Sequence, residues 1–265
     1  MIHSCPIGGA ERAVRNWVDF FLQDCHVDVF AFCTARPDKT HHETAVGERD
    51  FTRLDVGPAQ SQLHYKKILD EFRDAGTDIL HVVCDQVRQS GKQVLASARM
   101  SDVHHATGVY EFLTPQFMWD HPEWRIQNPD GNPDVAMDYA HAGVRAHRLA
   151  IFTELAEKYD IDGLELDFMR SCRFFAPDEA EANCGVLTDF VGQIRAMLDR
   201  ISEQRGRARF TLGVRMPPRL AECPALGLDP AAWIKAGWID YVAPSDFMWL
   251  DYGTRTEEYT ALCQD

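Results

Sequence analysis

Strand-like and helix-like stretches alternate along most of this chain. Residues 27–34 (VDVFAFCT) are rich in β-branched and aromatic side chains, which is typical of a buried strand. Further strands are predicted at 92–102, 161–170, 208–217 and 239–247, and a short extended piece at 135–140. Apolar residues at helical spacing predict helices at 14–24, 63–91 (interrupted at DAGTD), 141–160, 178–204 and 228–237.

This alternation predicts parallel strands joined by helical crossovers. Long loops follow the strands and short ones precede them, as in (β/α)-barrels, whose functional face lies at the carboxyl ends of the strands. We therefore expect an α/β fold of the (β/α)8 TIM-barrel type, as one domain over residues 1–265. Only five strong strands are visible, whereas a closed barrel needs eight. Either weak strands escape the pattern, or the barrel is incomplete at one or both ends and could complete itself as a homo-oligomer.

Charged residues interrupt the predicted strands on one face only. Alternation places Glu165 and Asp167 on the inward face of their strand, and Arg99 and Arg215 on the inward faces of two others. The outward positions are apolar, as expected beneath helices: Ala96, Ala98, Met100, Leu164, Leu166, Phe168, Leu212, Val214 and Met216. Since a buried charge needs a partner, we expect an Arg99–Glu165–Arg215 network, with Asp167 nearer the mouth.

Asp246 supplies a second carboxylate, at the end of the strand in IDYVAPSDF. Two carboxylates over a barrel mouth suit glycosidic cleavage, in which one acts as nucleophile or base and the other as acid. The sequence predicts catalytic roles for Asp167 and Asp246, with Glu165 as a substitute for either. The alternatives are that Glu165 and Asp167 belong to a structural ion-pair layer and that Asp246 caps a turn.

A third polar cluster, RMSDVHH, contains Asp102, His104 and His105. These residues suit hydrogen bonding to sugar hydroxyls, although adjacent histidines in a strand point to opposite sides. The spacing is weak for a metal site because it lacks a paired-histidine motif. Aromatic faces that could stack on sugars are Trp119, Trp124 and Trp249, the first two of which could equally form the core of their own loop.

Composition narrows the possible partners. The formal net charge of -14 disfavours nucleic acid, and no apolar run is long enough to span a membrane. None of the eight cysteines forms a C-x-x-C pair, so neither a zinc knuckle nor a redox motif is indicated, and we expect no metal or cofactor. The N-terminus lacks the pattern of a secretory signal, which favours a cytoplasmic location.

Several motifs in order resemble one family. RMSDVHH, WDHPEWRI, the segment from MDYAHAGVR to LELDFMR, LGVRMP and IDYVAPSDF are similar to the glycosyl hydrolase-like family 10 proteins, which are bacterial TIM-barrel glycosidases. The resemblance covers roughly residues 27–250. It implies a carbohydrate substrate and places these residues at motif positions: Asp102, Asp167, Arg170, Arg215 and Asp246. The resemblance implies that complete members have an earlier strand before VDVFAF and further βα units after PSDF.

The resulting hypothesis is a hydrolase of oligo- or polysaccharides, in which Arg99, Arg170 and Arg215 favour the charged form of the carboxylates. Retention of configuration is favoured by analogy alone. The strand also resembles the chitinase signature, but the catalytic glutamate would fall on Met169, which cannot protonate a leaving group. Two alternatives stay open: a non-catalytic carbohydrate-binding barrel, and a metal-dependent hydrolase using Asp102, His104 and Asp246.

Overall fold

A central sheet of parallel strands organises the molecule. The computed structural model describes residues 5–23, 25–52, 60–106, 112–128, 131–247 and 253–264. Five parallel strands form the centre of the sheet in the order β1-β4-β7-β8-β9, and two short strands extend it as β3-β2-β1. The strands are β1 Val29–Ala35, β2 Lys39–Thr40, β3 Glu48–Arg49, β4 Gln93–Arg99, β5 Arg125–Gln127, β6 Pro133–Met137, β7 Gly163–Asp167, β8 Thr211–Met216 and β9 Tyr241–Pro244.

Helices connect and flank these strands. They are α1 Ala10–Leu22, α2 Gln60–Asp74, α3 Ile79–Gln89, α4 Gln116–Asp120, α5 Ala142–Lys158, α6 Cys184–Arg205, α7 Pro230–Lys235 and α8 Thr256–Leu262. Asp78 caps α3 by accepting a hydrogen bond from the His81 N–H, which explains the interruption predicted at DAGTD. Over the described ranges, none of the helices has both the length and the apolar composition to traverse a bilayer.

The predicted α/β class and parallel sheet are confirmed. The extended piece at 135–140 is not a member of that sheet, because β6 pairs antiparallel with β5 in a separate hairpin. Helix α8 after β9 was not predicted. Among the described residues, β3 and β9 are the two ends of the sheet and do not pair with each other, so these strands form an open sheet.

The alternation within β7 is confirmed by burial. Leu164, Leu166 and Phe168 are fully buried in the main hydrophobic core. Glu165 is partly exposed on the opposite face. Burying an aliphatic or aromatic side chain contributes roughly 1.5–3 kcal/mol. The apolar face therefore holds the sheet against its helices, while the other face is left for polar residues.

His42 is buried, although it lies in a polar stretch of the sequence. Its relative exposure is 0%, and its ring packs edge to face on Tyr159 at 5.3 Å. Burial disfavours the imidazolium and lowers the pKa of His42 from 6.5 to about 4, despite the nearby charges of Asp78 and Glu154. The unfolded chain therefore binds a proton at this residue at a higher pH than the folded chain does.

We predict that His42 makes the protein less stable in mild acid. The stability that comes from burying a neutral His42 is fully present above pH 6.5. As the pH falls from 6.5 towards 4, the free energy of unfolding decreases by up to about 3 kcal/mol. Urea unfolding of the wild type and His42→Leu over pH 4–8 measures this effect, with His26→Leu, at an exposed position, as the control. If the free energy of unfolding changes with pH equally in all three proteins, the prediction is wrong.

Candidate active site at the carboxyl ends of the strands

The candidate site begins with a row of charges across three strands. The parallel register aligns Arg99 of β4 with Asp167 of β7, and Asp167 with Arg215 of β8. Asp167 is 8% exposed and lies at the carboxyl end of the central strand. Parallel strands thus bring together an aspartate and two arginines that are far apart in the sequence.

The predicted Arg99–Glu165–Arg215 network was wrong. Glu165 lies one row below the arginines, aligned with Ser97 and Gly213. Its carboxylate instead accepts hydrogen bonds of 2.7 Å from the Ser97 hydroxyl and 2.7 Å from the Tyr241 hydroxyl. Residues two apart share a face but occupy different rows, so register decides which carboxylate meets the arginines.

Gly213 is required for the hydrogen bond between Tyr241 and Glu165 in the row below the arginines. A Cβ at this position would lie 2.0 Å from the ring of Tyr241. The missing side chain therefore lets the Tyr241 ring cross β8 and reach Glu165. Burial, and then the neighbouring charge of Glu165, raise the pKa of Tyr241 well above its usual value, so its hydroxyl remains a donor.

Arg215 connects the two candidate catalytic strand ends. Its Nη1 lies 3.1 and 3.2 Å from the carboxylate oxygens of Asp167. Its Nη2 donates to the backbone carbonyls of Asp246 at 2.8 Å and Phe247 at 2.9 Å, and its Nε donates to the Ser245 hydroxyl at 2.7 Å. One guanidinium thus neutralises Asp167 and positions the loop that carries Asp246.

The carboxylates of Asp167 and Asp246 have different surroundings. Asp167 accepts a further hydrogen bond from the Met169 N–H at 2.8 Å, so a cation and a backbone donor both stabilise its charge. Asp246 Oδ1 accepts from the Phe247 N–H at 2.6 Å, which agrees with the turn-capping alternative for one of its oxygens. The pair is therefore chemically asymmetric.

Asp102, His104 and Arg170 form a chain of hydrogen bonds beside this pair. Asp102 binds Arg99 Nη1 at 2.6 Å and His104 Nδ1 at 2.6 Å, and its side chain is 3% exposed. Arg170 contacts the other ring nitrogen of His104, and its guanidinium lies 4.7 Å from the centre of the Phe247 ring. Asp102 is thus a support for His104 and Arg99, while His104 is the more accessible member, at 30% exposure.

Burial alone would raise the pKa of Asp102. The hydrogen bonds from His104 and the charge of Arg99 outweigh burial and hold that pKa below its usual range. Because an ionised Asp102 can only accept, His104 Nδ1 must donate to it, which leaves Nε2 as an acceptor for Arg170. These two hydrogen bonds set the tautomer and the orientation of the His104 ring.

The remaining predicted site residues make other contacts. His104 and His105 lie in a short 3₁₀ helix rather than in a strand, and His105 contacts the Val135 carbonyl at 2.8 Å. Together with Trp119, which is 48% exposed, it lines a separate cavity of about 280 Å³. Trp124 stacks on His121 at 3.7 Å and packs over Gly143, in agreement with a loop core. Trp249 lies outside the described residues.

A cleft of about 460 Å³ opens beside Asp246. Its walls come from the loops after β7 and β8, and its lining includes Met169, Cys172, Pro217 and Leu226. Burial, and then the charge of Asp167, raise the pKa of Cys172 to about 11, so this thiol is protonated near neutral pH. The cleft borders Asp246 and could hold part of a ligand.

Sequence reasoning missed Ser97, Tyr241 and Ser245. Ser97 is two residues before Arg99 and so shares its face, but nothing in the sequence indicated its partner. Tyr241 lies in an apolar strand, where a packing role was the natural interpretation.

In the described part of the chain, no three His, Cys, Asp or Glu side chains come together as a metal-binding group, and all eight cysteines are free.

Comparison with known proteins reveals similarity of fold. No protein-family model matches the chain, and no curated protein matches it. Among solved structures, the chain is similar to a Paenibacillus sp. cycloisomaltooligosaccharide glucanotransferase, with 10% identity and a TM-score of 0.56, covering 95% of this chain and 34% of that one. This likeness supports the α/β fold.

Two other solved structures have lower TM-scores. A maltogenic α-amylase from Thermotoga neapolitana has 15% identity and a TM-score of 0.44, covering 80% of this chain and 43% of that one. A family 18 N-acetylglucosaminidase from Paenibacillus barengoltzii has 14% identity and a TM-score of 0.44, covering 82% of this chain and 45% of that one. The chain spans less than half the length of each of these three structures.

We predict that Arg215 stabilises the fold through Asp167. Replacing Arg215 with Leu leaves a buried carboxylate without its cation and releases the loop after β9. The free energy of unfolding should fall by about 2 kcal/mol or more. This is less than the cost of breaking a fully buried ion pair, because the Arg215 side chain is 25% exposed. Chemical denaturation of Arg215→Leu, Asp167→Asn and the double variant measures their coupling.

Arg219→Leu is the matched control, because the Arg219 side chain is 51% exposed and its loss should change stability by no more than about 0.5 kcal/mol. If the single variants add without coupling, or if Arg215→Leu behaves like Arg219→Leu, the ion pair has no stabilising role.

Proposed function

We propose that the protein is a glycoside hydrolase acting on a carbohydrate chain, with Asp167 and Asp246 as its catalytic carboxylates. The observation that carries the proposal is the bridge made by Arg215, which binds the carboxylate of Asp167 and the backbone of Asp246. Two carboxylates held at the end of β7 and just after β9, on either side of β8, suit the acid and base roles of glycosidic cleavage. The resemblance of several sequence motifs to glycosyl hydrolase-like family 10 supports the same reaction class.

In this proposal Asp167 is the nucleophile or base. Its carboxylate is bound by Arg215 and by the Met169 N–H, which fix its position at the end of β7. Asp246 is the general acid, since it borders the open cleft and its carboxylate accepts from a neutral backbone donor. Glu165 is held one row deeper by two hydroxyls, so we assign it to positioning Tyr241 and keep it as the substitute acid.

The sugar ring would lie over the charged row, within reach of the polar groups that edge it. Arg99 and Arg170 offer hydrogen-bond donors next to Asp167. Asp102 orients Arg99 and His104, and His104 in turn contacts Arg170. Trp119 is exposed enough to stack on a more distant sugar unit. These assignments support a carbohydrate substrate without the need for a cofactor.

A non-catalytic carbohydrate-binding role is the second candidate. The observation in its favour is the open sheet formed by the described strands, since the candidate site then lies on a sheet with two free ends. A binding protein would use the donors of Arg99 and Arg170 to hold the sugar while releasing no product. Calorimetric binding of oligosaccharides, with no reducing ends released over days, would favour this candidate.

We predict that Asp167→Asn and Asp246→Asn each lower the rate of glycoside hydrolysis by at least about a hundredfold, since general acid–base groups contribute about that much. The measurement is release of reducing sugar from a panel of oligo- and polysaccharides. Asp120→Asn, at an exposed position on α4, is the control and should retain full activity. An active and folded Asp167→Asn or Asp246→Asn variant would remove that residue from the catalytic pair.

The stereochemistry of the product gives a separate test. A carboxylate separation of about 5 Å leads to retention, and one of about 6.5–9.5 Å to inversion. We expect retention. Proton NMR of the first-formed product, recorded before mutarotation, identifies the anomer, and an inverted anomer would assign Asp167 the role of base towards water rather than nucleophile.

A further inference from the structure

The cleft beside Asp246 has walls with little capacity to bind sugar hydroxyls. Pro217 and Pro218 follow β8 directly, and neither has a backbone N–H to donate. Their carbonyls are already engaged, since Pro217 accepts from the Tyr259 hydroxyl at 2.9 Å and Pro218 from the Arg255 N–H at 2.8 Å. This wall therefore presents the carbon surface of two proline rings.

The other uncharged residues of the lining are Met169, Cys172, Ala225 and Leu226. Met169 lines the cleft with its thioether, and its backbone N–H is used by Asp167. The Cys172 thiol donates to the Phe168 carbonyl at 3.4 Å. Leu226 and Ala225 complete the apolar lining. A sugar placed here would lose hydrogen bonds to water without equivalent replacements, which is unfavourable.

The charged groups of the cleft are limited in number and position. Arg219 and Glu222 bind each other at 3.2 Å. Asp246 is the remaining charged residue of the lining, and it is the proposed acid. An acid protonates the glycosidic oxygen from the side of the leaving group, so the volume beside Asp246 belongs to that group.

We propose that this cleft binds an apolar aglycone, so that the substrate is a saccharide carrying an alkyl or aryl group rather than a further sugar at the bond that is cleaved. This inference rests on the proposed function for its assignment of the leaving-group side. The apolar group would be held by the proline, methionine and leucine surfaces, and the saccharide would extend over the charged row towards His104.

Cys172 provides a reporter of occupancy that does not require turnover. Its alkylation by iodoacetamide at pH 8.5 is followed by peptide mass spectrometry, with the exposed Cys25 and Cys263 as internal references. Phenyl and octyl glycosides of several sugars, below their micelle concentrations, are compared with the methyl glycosides. The octyl compounds should protect Cys172 at concentrations at least about tenfold lower, because burial of only two methylene groups provides that factor.

Ala225→Glu tests the location. Ala225 is exposed and lines the cleft, so a carboxylate there should remove the preference for octyl over methyl glycosides. Ala221→Glu, equally exposed on the neighbouring turn and outside the lining, is the matched control and should keep the preference. Isothermal titration of the same ligands into both variants provides a second measurement that is independent of thiol reactivity.

Equal protection by methyl and octyl glycosides, or an unchanged preference in Ala225→Glu, would overturn the inference. Hydrolysis measured in the same samples separates it from the proposed function. Octyl-selective binding without hydrolysis would overturn the catalytic proposal and leave the apolar cleft standing. Hydrolysis of plain oligosaccharides without octyl selectivity would support the catalytic proposal and overturn the apolar cleft.

Discussion

The ion pair between Arg215 and Asp167 is the interaction on which the candidate site depends. A carboxylate that is 8% exposed at the end of the central strand requires a partner, because an unpaired buried charge costs several kcal/mol. Arg215 meets this requirement and uses its remaining donors on the backbone of Asp246 and Phe247. Electrostatic compensation and positioning of the second carboxylate are therefore provided by the same side chain.

The layered arrangement of the inward face separates structural from chemical roles. The lower row, Ser97–Glu165–Tyr241, is joined by neutral hydroxyls and made possible by the missing side chain of Gly213. The upper row carries the arginines and Asp167, and it borders the chain Asp102–His104–Arg170. The two rows give carboxylates of the same strand different environments, which is how proteins assign them different chemistry.

Local pattern predicted the elements and the faces of the strands, because periodicity directly records which side is buried. Leu164, Leu166 and Phe168 were assigned correctly for this reason, as were Arg99, Asp167 and Arg215 at the inward positions. The partner of Glu165 could not be predicted, since row alignment depends on strand register and no local residue reports it. The hairpin β5–β6 was missed because a five-residue extended segment does not show which sheet it joins. The burial of His42 likewise depends on Tyr159, which is remote in the sequence.

The charged row also has a consequence for the synthesis of the protein. Its members come from β4, β7 and β8, so Asp167 leaves the ribosome well before the strand that carries its cation. Until residue 215 has been synthesised and β8 has docked, the nascent chain holds a carboxylate at a position that will later be buried. Docking of β7 should therefore be completed late, and a chain terminated before β8 should be a substrate for chaperones and proteases rather than a shortened version of the native sheet.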